Sequence, residues 1–219
     1  MNSVRRISRR ALLALGLSLL VACCGKPDTE PVAPLTRTLP SPLWIDTRLP
    51  EPFARGHAPG ALNLQWDWDQ LADRVAAYVP DQTHPILLRA TDDEEARKAK
   101  WLLENYGYRD VKIGAPSDES ETLSIINTSE LAQAIEAGED FELIDVRTRV
   151  EFATGTIDGA RLVDPDAAPL LIDELDPDKR YYLICEGGYR SGQLASLMRI
   201  HGFEDVHNVL DGMYAWRNR

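Results

Sequence analysis

Residues 181–191 read YYLICEGGYRS, and this stretch decides the fold. Its first four residues form a short apolar run, which is typical of a buried strand. Two adjacent glycines then permit a tight turn. A helix is expected from Ser191, because apolar residues recur after it at the three- and four-residue spacing of one helix face. Another helix is expected at the apolar residues of 131–135, with Gly138 as its glycine stop. Strands that alternate with helices in this way indicate an α/β domain with a largely parallel sheet.

Cys185 stands where such sheets bind their ligands, beyond the carboxyl end of a strand. A curled loop can aim successive backbone N–H groups inward at an anion, and the following helix adds the positive end of its dipole. The guanidinium of Arg190 adds a full positive charge and a planar set of N–H donors. Together these effects stabilise a thiolate, so we interpret Cys185 as a nucleophile that receives an electrophilic group from an anionic donor. The alternative is a buried cysteine that merely ends a strand, and it leaves the glycines and Arg190 unexplained.

Much of the chain repeats itself. The sequence WIDTR at 44–48 recurs as LIDVR at 143–147, an offset of 99 residues (145 − 46). The YGY at 106–108 matches the HGF at 201–203 with an offset of 95 residues (202 − 107), so a gap of a few residues separates the blocks. Two copies of one unit are therefore predicted. The predicted borders are a first domain at 43–114, a linker at 115–123 and a second domain at 124–219.

The first copy lacks the reactive loop. With the offset of 95, Cys185 aligns with Ala90 and Arg190 with Glu95. The corresponding loop contains four adjacent acids and no glycine. Acids at a helix start favour the helix dipole, so this loop is predicted to be a capped helix N-terminus and not an anion site.

The pattern Cys-x-x-Gly-x-Arg-Ser at 185–191 resembles the active-site loop of the rhodanese sulfurtransferases, as do LIDVR at 143–147 and LDGMYAW at 210–216. The resemblance implies two rhodanese-like domains, each a largely parallel sheet flanked by helices, of which the first is catalytically silent. It implies that Cys185 takes the outer sulfur of a donor such as thiosulfate and becomes a persulfide. A thiophilic acceptor, cyanide or a thiol, then removes the sulfur.

The resemblance also implies roles for the neighbours of Cys185. Arg190 would bind the anionic donor, while Asp145 and Arg147 would fix the strand end beside the loop. The carboxylate of Glu186 would oppose a dianionic donor. The silent first domain is a candidate surface for a protein partner, and neither a cofactor nor a metal site is expected. The residues expected to hold the persulfide through their backbone N–H groups are Glu186, Gly187, Gly188, Tyr189, Arg190 and Ser191.

Two other functions compete with this interpretation. Phosphatases and arsenate reductases related to this fold place five residues between cysteine and arginine, whereas four stand here, at 186–189. The smaller loop favours sulfur over phosphate. The second alternative is a non-enzymatic envelope lipoprotein that uses the domains for binding.

The first 22 residues are predicted to be a signal peptide. A basic start at 1–10 precedes an uncharged apolar run at 11–22, which is shorter than the roughly 20 residues that span a bilayer. The sequence LVAC at 20–23 resembles the bacterial lipobox, which implies cleavage and lipid attachment at Cys23. We expect a lipid anchor that holds the chain on the periplasmic side of the cell envelope, with Cys24 favouring the outer membrane. An ordinary signal and a twin-arginine signal are the alternatives, and the proline-rich residues 23–42 are predicted to be a tether.

Charge and cysteine content exclude further classes. The chain has 24 Lys and Arg against 35 Asp and Glu, a net charge of −11. Such an acidic surface repels nucleic acid. Three cysteines cannot form a disulfide framework. The four histidines show no metal-ligand spacing.

Overall fold

A computed structural model describes residues 38–219. The predicted signal peptide, Cys23 and most of the tether lie outside the described residues. Within 38–219, no helix is both long enough and apolar enough to cross a bilayer.

The first repeat is a four-stranded sheet with the strand order β2-β1-β3-β4, and every pair in it is parallel. Its helices follow the strands along the chain, as predicted for an α/β unit. Its elements are β1 (Leu43–Asp46), α1 (Pro50–Arg55), β2 (Leu62–Asn63), α2 (Leu71–Tyr78), β3 (Ile86–Arg89), α3 (Asp93–Tyr106) and β4 (Val111–Ile113).

The second repeat is a five-stranded parallel sheet with the order β5-β9-β8-β6-β7. A short 3-10 helix (Ala168–Glu174) precedes its central strand β8. Its other elements are β5 (Ser124–Ile126), α4 (Thr128–Ala137), β6 (Glu142–Asp145), α5 (Arg149–Ala153), β7 (Arg161–Leu162), β8 (Tyr181–Ile184), α6 (Tyr189–Ile200), β9 (Val206–Val209) and α7 (Gly212–Arg217).

The strands confirm the internal repeat and its gap. β1 and β6 are displaced by 99 residues (142 − 43), and β3 and β8 by 95 (181 − 86). The gap therefore falls between β2 and β3 of the first repeat. The second repeat has β5 and α4 before this shared unit and α7 after it.

Helix ends follow the local sequence. Asp92 caps α3, because its side chain accepts a hydrogen bond from the Glu95 N–H at 2.8 Å. This confirms the capped helix start predicted for the first copy. Gly138 ends α4 in the left-handed conformation with φ 67°, the position at which a glycine stop was predicted.

Helix α6 lies between the two repeats. Residues 191–198 of α6 are all buried, so the helix has no solvent face over two turns. The Asn63 N–H donates to the Ser196 hydroxyl at 3.0 Å and so joins β2 to α6. One continuous cluster of buried apolar side chains spans both repeats. Because α6 starts at the reactive loop, the first repeat packs directly behind that loop.

The linker and the end of the predicted tether contact the first repeat. His57 and Glu121 exchange backbone hydrogen bonds of 2.9 and 3.3 Å. His84 Nε2 lies 2.8 Å from the Pro40 carbonyl oxygen. The segments before and after the first repeat therefore both contact it. The predicted domain borders stay predictions.

Candidate active site

The reactive loop connects β8 to α6 and begins at Cys185. Gly188 has a left-handed φ of 80° and is the N-cap of α6, which begins at Tyr189. The expectation that the helix starts at Ser191 was wrong by two residues, because the left-handed glycine turns the chain into the helix at once. The loop is thus short, and the residues predicted to surround the sulfur end within the first turn of α6.

Hydrogen bonds from β9 and α7 hold the carbonyl oxygens of the reactive loop. The N–H groups of Met213 and Tyr214, at the beginning of α7, donate to the Cys185 and Glu186 oxygens at 2.8 and 3.1 Å. Asn208 Nδ2 donates to the Gly188 oxygen at 2.9 Å. The first N–H groups of α6 have no intrahelical acceptor. The Gly188 oxygen also accepts the first helical bond, from the Gly192 N–H at 3.2 Å. The N–H groups before Gly192 can be presented to an anion.

Two glycines permit this close packing. A Cβ atom at Gly188 would lie 2.1 Å from the Leu210 oxygen. A Cβ atom at Gly212 would lie 2.5 Å from the Glu186 oxygen and 2.7 Å from the Cys185 oxygen. Real Cβ atoms do not approach backbone atoms this closely. The reactive loop therefore requires glycine at Gly188, and the start of α7 requires it at Gly212.

Cys185 is a free cysteine and its residue is only 1% exposed. The Ser191 hydroxyl donates to its sulfur at 3.4 Å, a normal length for a hydrogen bond to sulfur. The sulfur therefore lies at the N-terminus of α6, whose first turn supplies a hydroxyl donor. This arrangement suits a thiolate or a persulfide better than an inert thiol.

Arg190 forms a bidentate ion pair with Glu151. Its two terminal nitrogens lie 2.8 and 2.6 Å from the two carboxylate oxygens. The pair lowers the pKa of Glu151 to about 2, chiefly through the Arg190 hydrogen bond, against burial and with help from Thr148. The pKa of Arg190 is raised, first by Glu151 and further by its interaction with Cys185. Arg190 is therefore held by the carboxylate of Glu151 in the first turn of the helix that follows Cys185.

Glu151 is a site residue that the sequence did not predict. The signal that places it is the capping box of α5, in which Thr148 caps the helix and Glu151 reaches back to the Thr148 N–H at 3.0 Å. The pattern fixes the carboxylate at a helix start but does not reveal its partner 39 positions later. The role of Arg190 as the donor ligand stays a prediction.

The carboxylate of Glu186 is compensated by two arginines. Arg217 of α7 pairs with it directly, and Arg147 Nη1 lies 3.8 Å from its second oxygen. Arg147 is fully buried and forms a bidentate pair with Asp145, with distances of 2.9 and 2.8 Å. Arg147 also donates to the Gly155 oxygen at 2.8 Å, which ties the end of β6 to the loop after α5. This geometry matches the structural role expected for Asp145 and Arg147.

A cavity of about 360 Å³ opens beside the reactive loop, between the two repeats. From the second repeat it is lined by Tyr189, Arg190 and Gln193. The first repeat contributes a stretch that ends in α2, including Arg74 and Tyr78. This contribution of the first repeat was not predicted, because no local pattern links α2 to a loop more than 100 positions later.

The described residues include every predicted site residue except Cys23. The structure brings together Cys185, Arg190 and Ser191, with the backbone of 186–189 between them. Among residues 38–219, no group of three or more metal-ligating side chains is placed to hold a metal ion.

Comparison with known proteins finds the same family in both repeats. The family model described as "Rhodanese-like domain" matches residues 34–114 and 127–219. The Bacillus subtilis (strain 168) protein YtwF, provisionally named a sulfurtransferase, is 41% identical over 91 residues, which are 42% of this chain and 87% of that protein. An Allochromatium vinosum sulfurtransferase is 31% identical over 91 residues, 42% of this chain and 85% of that protein. A crystal structure of a rhodanese-like domain protein from Staphylococcus aureus is 33% identical, covers 43% of this chain and 91% of its own, and has a TM-score of 0.41. The chain belongs to the rhodanese-like domain family.

Proposed function

We propose that the chain is a sulfurtransferase that carries sulfane sulfur on Cys185, from an anionic donor such as thiosulfate to a thiophilic acceptor. The observation that carries the proposal is a buried free cysteine enclosed by its own loop, at the N-terminus of α6 and beside Arg190. The relatives named as sulfurtransferases support the same chemistry.

In the first half-reaction, the Cys185 thiolate attacks the outer sulfur of thiosulfate. A bond forms between the cysteine sulfur and that outer sulfur, and the bond from the outer sulfur to the sulfite sulfur breaks. The electron pair of the broken bond leaves with sulfite. The N–H groups at the start of α6 and the Ser191 hydroxyl stabilise the terminal sulfur, which carries the negative charge.

In the second half-reaction, a thiophilic acceptor attacks the terminal sulfur. The sulfur–sulfur bond to Cys185 breaks, and its electron pair returns to the cysteine as a thiolate. Arg190 stays beside the sulfur in both states, because its ion pair with Glu151 fixes the guanidinium. The loop therefore serves the thiolate and the persulfide without rearrangement.

Steady-state assays test this function against its alternatives. Thiosulfate with cyanide should yield thiocyanate, and Cys185→Ser should abolish the reaction. Ser191→Ala retains the nucleophile and should lower the rate without abolishing it. Turnover of p-nitrophenyl phosphate in place of thiosulfate would instead favour a phosphatase. Absence of both reactions would favour a binding module.

Glu186 is proposed to tune the choice of donor. Its carboxylate opposes a dianion, although Arg217 and Arg147 reduce the opposition. Glu186→Gln should raise the kcat/KM for thiosulfate relative to a monoanionic thiosulfonate. An unchanged ratio of the two donors would contradict this role.

We also propose attachment of the mature chain to a bacterial membrane through a lipid on Cys23. The lipobox-like sequence at 20–23 supports this proposal, and the several acyl chains of such an anchor give stable attachment. The test is membrane fractionation of the full chain and of Cys23→Ser. Only the full chain should remain with the membranes after a high-salt wash.

A further inference from the structure

The cavity between the repeats is lined by polar side chains that have atoms without a hydrogen-bond partner in the described part of the chain. Gln65, Arg74 and Gln193 each have a buried side-chain polar atom without a hydrogen-bond partner among residues 38–219. All three line this one cavity. Buried polar atoms without partners are rare in folded proteins and cost free energy, so three around one cavity mark a place where a polar ligand or ordered water completes the hydrogen bonding.

Gln193 gives the clearest sign of a ligand. Its residue is 4% exposed and its amide nitrogen has no partner in the described chain. Gln193 lies one turn after Tyr189 on α6, so both side chains reach the same cavity from the helix that starts at the reactive loop. A ligand bonded to Gln193 would lie close to the loop that holds Cys185.

Arg74 supplies a cation that is only partly neutralised. One terminal nitrogen lies 3.2 Å from the Asp67 carboxylate, while the Nε atom has no partner in the described chain. Burial lowers the pKa of Arg74, and Asp67 offsets this only in part. A guanidinium with a free N–H edge suits a carboxylate, which would restore its hydrogen bonding.

Acidic side chains at the same cavity favour a positive group on the ligand. Asp166 lies on an exposed part of the lining, and Asp73 lies on the first-repeat side. A ligand with both a carboxylate and an ammonium group would match the arginine and the acids together.

The cavity belongs to the same site as Cys185. Arg190 lines it and also interacts with the cysteine sulfur. Tyr78, which is buried, lines it from the first repeat. At about 360 Å³ the cavity lies at the small end of ligand pockets, roughly 300–1,000 Å³, and exceeds the needs of one tetrahedral anion.

We propose that this cavity is the sulfur-acceptor site, and that it takes a small thiol with an amino-acid group, whose carboxylate binds Arg74 and whose ammonium faces Asp166. The proposal rests on the sulfurtransferase function. The thiolate of the acceptor attacks the terminal sulfur of the Cys185 persulfide, the bond to Cys185 breaks, and the acceptor leaves as a persulfide. The first repeat has no reactive cysteine, and in this account it supplies the specificity for the acceptor.

The experiment uses the full chain loaded with one sulfur on Cys185, verified by intact mass before any acceptor is added. Four thiols are compared at equal thiolate concentration, and discharge is followed by loss of the added mass. L-cysteine has both charged groups, 3-mercaptopropionate only the carboxylate, cysteamine only the ammonium, and 2-mercaptoethanol neither. The apparent KM should be lowest for L-cysteine, and higher by about tenfold or more for the two thiols without a carboxylate, since a charged hydrogen bond is lost.

Variants assign the charged groups. Arg74→Gln should raise the KM of L-cysteine and 3-mercaptopropionate by about tenfold and should leave the ratio of the other two thiols unchanged. Asp166→Asn should raise the KM of L-cysteine but not that of 3-mercaptopropionate. Arg97→Gln is the matched control, because Arg97 is an exposed arginine of the same repeat and its loss changes the net charge equally.

Failure of this proposal is distinct from failure of the proposed function. If Cys185 accepts no sulfur, the sulfurtransferase function and the acceptor site fall together. If Cys185 is loaded but the native chain discharges to all four thiols with the same KM, only the acceptor site is overturned. Equal effects of Arg74→Gln and Arg97→Gln would also overturn it, because the surface charge alone would then explain the preference.

Discussion

Replacement of Gly188 by alanine tests how tightly the reactive loop is constrained. Gly188 has φ 80°, and an added Cβ would lie 2.1 Å from the Leu210 oxygen and 2.8 Å from its carbonyl carbon. An alanine in the left-handed region costs about 1–2 kcal/mol. Overpacking adds about 1–3 kcal/mol, because the neighbour is backbone and cannot rotate away. Gly188→Ala should therefore lower the free energy of unfolding by about 2–5 kcal/mol.

Gly202 provides the matched control. Its φ is 86°, but an added Cβ would meet no atom within 4 Å. Gly202→Ala should therefore cost only the backbone component, about 1–2 kcal/mol. Urea unfolding of the two variants at neutral pH measures the difference, which isolates the close approach of the loop to Leu210. Equal losses in the two variants would refute the packing argument, because the left-handed backbone alone would then account for both.

The remaining predictions concern three other contacts. Arg147→Ala leaves the fully buried Asp145 without its charged partner and should lower the free energy of unfolding in urea by about 3–5 kcal/mol. The loss should exceed that of Arg48→Ala, which breaks the equivalent but less buried pair. A larger loss for Arg48→Ala would contradict this. Glu151 has its pKa lowered to about 2 from 4.5, so its ion pair stabilises the fold above that ordinary value and loses this effect as the pH falls toward 2. The difference in unfolding free energy between the parent and Glu151→Gln should therefore shrink over that range, and a difference independent of pH would count against the ion pair. Asp92→Ala removes the cap of α3 and should cost about 1 kcal/mol in thermal unfolding, with no change in sulfur loading of Cys185; a change in loading would show that the first-copy loop takes part in the chemistry.

Local patterns in the sequence predicted the fold well. The apolar run at 181–184 is strand β8 as predicted, and the helix closed by Gly138 is α4. The two repeat offsets predicted a gap of a few residues, and the strand offsets place it between β2 and β3. These predictions are correct because hydrophobic periodicity and turn residues depend only on neighbours along the chain.

The site was predicted only where it is local. The residues of the reactive loop follow one another in the sequence, so their proximity needed no tertiary information. Glu151 faces Arg190 because α5 and α6 both start at the same edge of the sheet, and no local pattern states this. Arg74 reaches the cavity only because the first repeat packs against α6. Helix α6 illustrates the same limit, since one apolar face was expected and residues 191–198 are buried on all sides.

Sulfur loading of Cys185 tests the central claim most directly. The full chain is incubated with thiosulfate, the excess is removed, and the intact protein and its peptides are analysed by mass spectrometry. We predict a gain of one sulfur atom, located on the peptide that contains Cys185, reversed by a thiol reductant and absent from Cys185→Ser. A folded chain that gains no sulfur from thiosulfate or from a thiosulfonate, or that gains it equally after Cys185→Ser, would contradict the account.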